Sequence, residues 1–393
     1  MMIKARSNQW LRLTLVCVFI FLKLGSTSQE GMTIIEGAVA KGAVCLDGSP
    51  PAYQFDAGFG DGLQNWLVHI QGGGWCNSVQ DCLTRTYNRF GSSMKMMSSD
   101  YNFTGIMSNK RELNPNFYNW NRVVMRYCDG SSFTGDVEAV DPATNLHFRG
   151  ARVFDAIVED LLSKGMKFAS NALLSGASAG GLASILHCDK FREFFPANTR
   201  VKCFSDAGYF AHIKDLSGGY KFEEYYNQVV TLHGSLKNLH PQCTSKRKPS
   251  LCFYPQFVMP YIKTPIFILQ TTYDSFQVQN ILAAPLADPR GLFTNCKQDI
   301  NACSSAQIRR LRDFRSGFLR AFLNVRRHGS SRGWFVNNCF THGQSEPQAI
   351  WSGNRSSKLK RKTIAQAVGD WFYDRSTVKM SDRRHVLPHY CIN

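Results

Sequence analysis

Residues 171–186 read NALLSGASAGGLASIL. Ser178 stands near their centre, flanked by Gly176, Ala177, Ala179, Gly180 and Gly181. A serine hydroxyl becomes a strong nucleophile only when an adjacent base takes its proton and an acid orients that base. The chemistry of such a set is acyl transfer. The Gly-x-Ser-x-Gly pattern puts its serine on a strained turn between a buried strand and a helix, with small residues where the two crowd together. The pattern alone is weak, because residues 329–333, GSSRG, match it as well. Context separates the two. Ser178 has apolar ALLS before it and helix-like LASILHCD after it. Ser331 follows a long basic helical pattern that Gly329 ends, and bulky Arg332 adjoins it. Ser178 is therefore the candidate nucleophile.

The order expected on an α/β-hydrolase scaffold is serine, then acid, then histidine. Eight histidines follow Ser178: His187, His212, His233, His240, His328, His342, His385 and His389. His342 lies in NNCFTHGQSE, a short loop-like segment late in the chain, where a functional histidine belongs. His328 sits in a run of arginines, where a neutral base is hard to keep, and His385 and His389 are close to the terminus. For the acid, Asp274 follows the apolar run PIFILQT and precedes His342. Asp206, at the end of VKCFSD, is the rival. Both sit at strand ends, where catalytic groups gather, and the later strand favours Asp274. An oxyanion needs two or three converging backbone N–H groups. Ala179 offers one. The glycines of HIQGGGWCN, Gly72 to Gly74, offer others, and Trp75 is expected to wall the pocket. No GK[ST] follows these glycines, so they do not read as a phosphate loop.

These residues need a frame. WLVHI (66–70), RVVMRY (122–127), NALLS (171–175), VKCF (201–204) and PIFILQT (265–271) are short apolar runs of strand character. Helical periodicity separates them. Val153, Ile157 and Leu161 fall at i, i+4 and i+8, with Gly165 closing the segment. Residues 306–329 form a basic pattern with an apolar stripe at Ile308, Leu311, Phe314 and Phe318, and KTIAQAVGDWFYD is another helical stretch. Strands alternating with helices predict an α/β fold of hydrolase type, a mostly parallel sheet with helices on both faces. The cysteine-rich stretches between about residues 241 and 303 read as disulfide-bearing loop insertions or a small cap.

The chain has 393 residues and is 44% hydrophobic, enough for one large catalytic domain over 29–393. Residues 1–28 read as a secretory signal peptide: a basic start (Lys4, Arg6, Arg12), the short apolar run LTLVCVFIFL, then small residues. That run is too short to span a bilayer, so no membrane span is expected. Thirteen cysteines include Cys17 in the signal, leaving an even twelve for disulfides in a secreted chain. Cys76 with Cys82, Cys243 with Cys252, and Cys296 with Cys303 are near enough in sequence to pair. No CxxC pair exists, and HVLPH (His385, His389) lacks the glutamate of an HExxH site, so neither a metal nor another cofactor is expected. NFT at Asn102 and NRS at Asn354 are glycosylation sequons. The formal charge is +17, of which residues 1–28 carry four positives and no acid, leaving +13. For a secreted protein this favours an acidic extracellular polysaccharide over nucleic acid as partner.

Several of these stretches together resemble the plant pectin acetylesterases. They include AVCLDGSPPAYQFDAGFGDGLQNWLVHIQGGGWCN, NPNFYNWNRVVMRYCDGSSFTGDVE, LLSGASAGGLASILHCD, QTTYDSFQV and NCFTHGQ, and with HFRGARVFDAIVEDLL they span nearly the whole mature chain. The resemblance implies an α/β-hydrolase-type serine esterase acting on acetylated pectin. It implies Ser178, Asp274 and His342 as the triad and maps the oxyanion loop to Gly74 and Trp75. The wider group includes Notum, an animal carboxylesterase that removes a fatty acyl group from a secreted protein. Deacylation of a lipidated protein or of another wall polysaccharide therefore stays open, as does a non-catalytic wall-binding role.

Overall fold

The computed structural model describes residues 31–96, 101–327, 331–354, 356–383 and 386–391. The expected signal peptide, His328 and His385 lie outside them. Nine strands form one sheet: β1 (Gly31–Ile34), β2 (Ala52–Asp56), β3 (Asn65–Ile70), β4 (Asn121–Met125), β5 (Asn171–Ala177), β6 (Arg200–Asp206), β7 (Ile266–Thr271), β8 (Gly333–Asn337) and β9 (Lys379–Ser381). Their order is β1-β2-β4-β3-β5-β6-β7-β8-β9. β2 runs antiparallel to β4, and every pairing from β4 through β9 is parallel.

Successive side chains of a strand point to opposite faces, and both faces of this sheet are covered. In β5, Ala172 and Leu174 enter one apolar cluster while Leu173 enters the other. The first cluster takes the helix Gly150–Ser163 through Val153, Ile157 and Leu161, all fully buried. It also takes Leu311, Phe314 and Phe318 of the helix Ser305–Arg327. The second takes the helix Ile364–Phe372, started by a capping box between Thr363 and Gln366. β1, β2, β8 and β9 escape a reading based on apolar runs. AYQFD buries polar Gln54 and Asp56, the latter against buried Arg122. GWFVN begins with glycine, and β9 is only three residues long.

Six disulfides join the twelve remaining cysteines: the three short-range pairs expected, plus Cys45–Cys128, Cys188–Cys203 and Cys339–Cys391. The cysteine-rich stretches fall on either side of a core strand. They are short helices at 241–258, before β7, and the Cys296–Cys303 loop after it.

Candidate active site

The sheet register sets the site. Ile70 of β3 lies beside Gly176 of β5, Ala177 beside Asp206 of β6, and Thr271 of β7 beside Asn337 of β8. The chain leaves these strands along one carboxyl edge, so the glycine loop, Ser178, Asp274 and His342 emerge together. Ser178 has φ 59° and ψ −125°, between β5 and the helix Ala179–Leu186. Positive φ in a non-glycine residue is strained, and here the surroundings impose it. A Cβ on Gly176 would lie 2.2 Å from the Gly180 carbonyl oxygen, and one on Gly180 would lie 2.1 Å from that of Ile70. Only glycine lets the turn close. Ser331 has none of this: it is exposed and precedes a strand.

His342 Nε2 is 2.7 Å from Ser178 Oγ. Its Nδ1 is 2.9 Å from each carboxylate oxygen of Asp274. Asp274 is buried and caps the short helix after β7, accepting from the Gln277 N–H at 3.0 Å and from Gln270 Nε2 at 3.1 Å. These donors fix the carboxylate, which orients the imidazole with Nδ1–H toward Asp274 and bare Nε2 toward the serine. Burial disfavours a charged His342. The negative charge and hydrogen bond of Asp274, with Asp206 and Glu346 beyond, outweigh it and raise the histidine pKa above its ordinary value. Phe276 stacks on the ring at 5.2 Å.

Asp206 does not contact His342 by a hydrogen bond. Its Oδ2 accepts from the N–H of Gln344 (2.6 Å), the N–H of Ser345 (2.7 Å) and the Ser345 hydroxyl (2.7 Å). It pins the loop that carries His342, and burial pushes its pKa up to about 6 despite those bonds. No local signal around Asp206 carries this anchoring, which depends on β6 register against a loop 138 residues later.

The backbone N–H groups of Gly74, Trp75 and Ala179 find no acceptor among the described residues, as an oxyanion site requires. Gly72 packs against Ser178, and a Cβ there would lie 3.0 Å from Ser178 Cβ. One expectation is corrected. The Trp75 side chain does not wall the pocket. It is 4% exposed and donates from Nε1 to Ser132 Oγ at 2.7 Å. Around it pack Phe210, Tyr226 and Phe276, and Phe210 and Phe276 also lie against His342.

The cavity over Ser178 and His342 measures about 320 Å³. It is lined by Gln71, Gly72, Gly73, Arg89, Phe90, Tyr101, Asn102, Arg126, Ala177, Gly343 and Glu346. A larger cavity of about 840 Å³, beside His212 and Arg320, does not include them. Burial disfavours the charged Glu346. Hydrogen bonds from His69 (3.1 Å) and Tyr101 (2.5 Å) still hold its carboxyl below the usual range. Arg126 donates to Gln71 Oε1 at 3.1 Å and Gln54 Oε1 at 2.5 Å. Glu346 lay within the HGQSE stretch, yet nothing in its spacing marked it out. Asn102 and Asn354 are both exposed. His389 adjoins the Cys339–Cys391 disulfide, whose sulfurs are already bonded.

A mostly parallel sheet, a serine on a strained strand-to-helix turn, and a histidine and an aspartate beyond later strands define an α/β-hydrolase. Comparison with known proteins narrows the class. The pectinacetylesterase family matches residues 25–391, and the chain belongs to that family. It is 50% identical over 374 residues to pectin acetylesterase 7 of Arabidopsis thaliana, covering 95% of this chain and 94% of the relative. It is 29% identical over 251 residues to palmitoleoyl-protein carboxylesterase notum1a of Danio rerio, covering 60% of this chain and 49% of that one. In fold it resembles the Wnt deacylase Notum from Drosophila, with TM-score 0.74 and 21% identity over 91% of this chain and 97% of that one.

Proposed function

We propose that this carboxylic ester hydrolase removes acetyl groups from pectin in the plant cell wall, with Ser178 as nucleophile. The observation that carries the reading is the continuous hydrogen-bonded line from Ser178 through His342 to Asp274. Ser178 Oγ attacks the acetyl carbonyl as its proton passes to His342 Nε2. The N–H groups of Ala179, Gly74 and Trp75 hold the oxyanion, and buried Asp274 stabilises the imidazolium. His342 then returns the proton to the departing sugar oxygen, leaving acetyl-Ser178. Water, deprotonated by His342, attacks this ester. Acetate leaves and Ser178 recovers its proton.

The cavity suits a short acyl group on a polar carrier. Gln71, Arg89, Asn102, Arg126 and Glu346 give it hydrogen-bonding walls, and the aromatics Phe210 and Phe276 pack beside His342. Six disulfides fit an extracellular protein. No helix among the described residues is long and apolar enough to cross a membrane. Residues 1–28 then serve as the secretion signal, and Asn102 and Asn354 as glycan acceptors. The test is release of acyl groups from acetylated pectin, acetylated xylan and a fatty-acylated peptide by the same preparation. Acetate release fastest from pectin is expected. A preference for xylan or for the peptide would sink the substrate assignment.

A further inference from the structure

A cluster of cations lies at the margin of the sheet, outside the Ser178 cavity. β9 is the last strand of the sheet. Beside it lies a groove of about 1080 Å³, lined by Lys358, Lys360, Arg361, Lys379 and Arg383, with Asp382 as its one acid. None of the five cations is ion-paired among the described residues, whereas neighbouring Lys362 is held by Asp370 at 2.6 Å. Lys360 and Arg361 sit at φ 50° and 67°, in a tight turn closed by mutual hydrogen bonds between Leu359 and Lys362. The turn makes both project from the surface, and both are exposed. The groove continues past Ser381 and Arg383 into a smaller hollow that adds Arg315 and Arg320. The result is a basic track along one margin of the sheet.

Unpaired cations close together repel one another, and a polyanion relieves that repulsion while releasing its own counterions. β9 lies four strands from β5, which at ~4.8 Å per strand is on the order of 20 Å. That span is several residues of an extended polysaccharide. We propose that this groove is a second binding site, separate from the Ser178 cavity, for a run of unesterified galacturonate carboxylates. It holds the acidic backbone while an acetylated residue of the same polymer reaches Ser178. This rests on the pectin reading for the natural polymer, but the binding itself does not need acetyl groups.

The test uses non-acetylated polygalacturonate as the binding probe and p-nitrophenyl acetate as a small neutral substrate. The variants are Lys358→Gln/Lys360→Gln/Arg361→Gln and, independently, Lys379→Gln/Arg383→Gln, each checked for an unchanged unfolding temperature. Exposed charge pairs contribute modestly each, so three together predict about tenfold weaker polygalacturonate binding. KM for acetylated pectin should rise by a similar factor, with p-nitrophenyl acetate hydrolysis unchanged. Unchanged polygalacturonate affinity in both variants would overturn the groove. Tighter binding of duplex DNA than of polygalacturonate, lost in the same variants, would overturn the choice of partner. Groove-dependent polygalacturonate binding without acetate release from pectin would leave the groove standing and remove the substrate reading instead.

Discussion

As the proposed base, His342 acts only when neutral. Burial lowers its pKa, but the charge and hydrogen bond of Asp274, with the charges of Asp206 and Glu346, together raise it above the ordinary value. The acid limb of a kcat/KM profile on a neutral ester should therefore have its midpoint above ~6.5, the unperturbed histidine value, with activity lost as pH falls through it. Asp274→Asn should lower kcat by about 10³–10⁴-fold, since the amide no longer enforces the tautomer, and should move the acid limb down. An acid limb that stays in place in that variant would separate Asp274 from the base. Asp206 gives a second test. Its folded pKa, about 6, lies above the ordinary carboxylate value, so folding favours its protonated form. Its contribution to stability is full below about pH 4 and is lost as pH rises through about 6. Asp206→Asn keeps an acceptor for the Gln344 and Ser345 donors and should flatten that dependence. Asp206→Ala strands those donors and should cost about 1–3 kcal/mol, read by denaturant unfolding. Equal costs for the two variants would contradict the anchoring role.

Local signals account for what could be read at the level of elements. The elbow was legible because the β5 strand, the glycine turn and the following helix adjoin in sequence, and small residues mark the crowding. The helices Gly150–Ser163 and Ser305–Arg327 were legible from apolar stripes that the structure buries, with Ile308 only partly covered. β8 and β9 were not, because the apolar run of β8 is only three residues (WFV) and β9 is three residues in all. Trp75 misled for a related reason. Its place after the glycines set its backbone beside the serine, but the direction of its indole depends on aromatic partners such as Phe210 and Tyr226, far along the chain. The His342 loop also depends on a distant tie. Cys339, three residues before it, is bridged to Cys391 across a sequence separation of 52. Chain-entropy reasoning gives about 4 kcal/mol for closing such a loop. Replacing both cysteines by alanine should lower the unfolding free energy by about 2–4 kcal/mol, and an unchanged melting temperature would show the tie to be idle.

The whole molecule combines a small polar cavity with a strongly basic exterior. At +13 for residues 29–393, long-range attraction should draw a polyanionic substrate and weaken as salt shortens the screening length. Rising ionic strength should thus raise KM for polymeric pectin while leaving KM for a neutral acetyl ester nearly unchanged; parallel responses would remove electrostatic steering. Fold class and triad candidates could be named from sequence because they rest on short motifs in a fixed order. The basic run KLKRK at 358–362 is visible in sequence, but its meeting with Lys379 and Arg383 in one groove is set by the fold. Everything proposed converges on one hydroxyl. The most direct test is acetate release from acetylated pectin by wild type and by folded Ser178→Ala at equal concentration. A fall in kcat of at least about 10³-fold is predicted, as for loss of a triad nucleophile. Release within about tenfold of wild type would contradict an acyl-serine mechanism at Ser178.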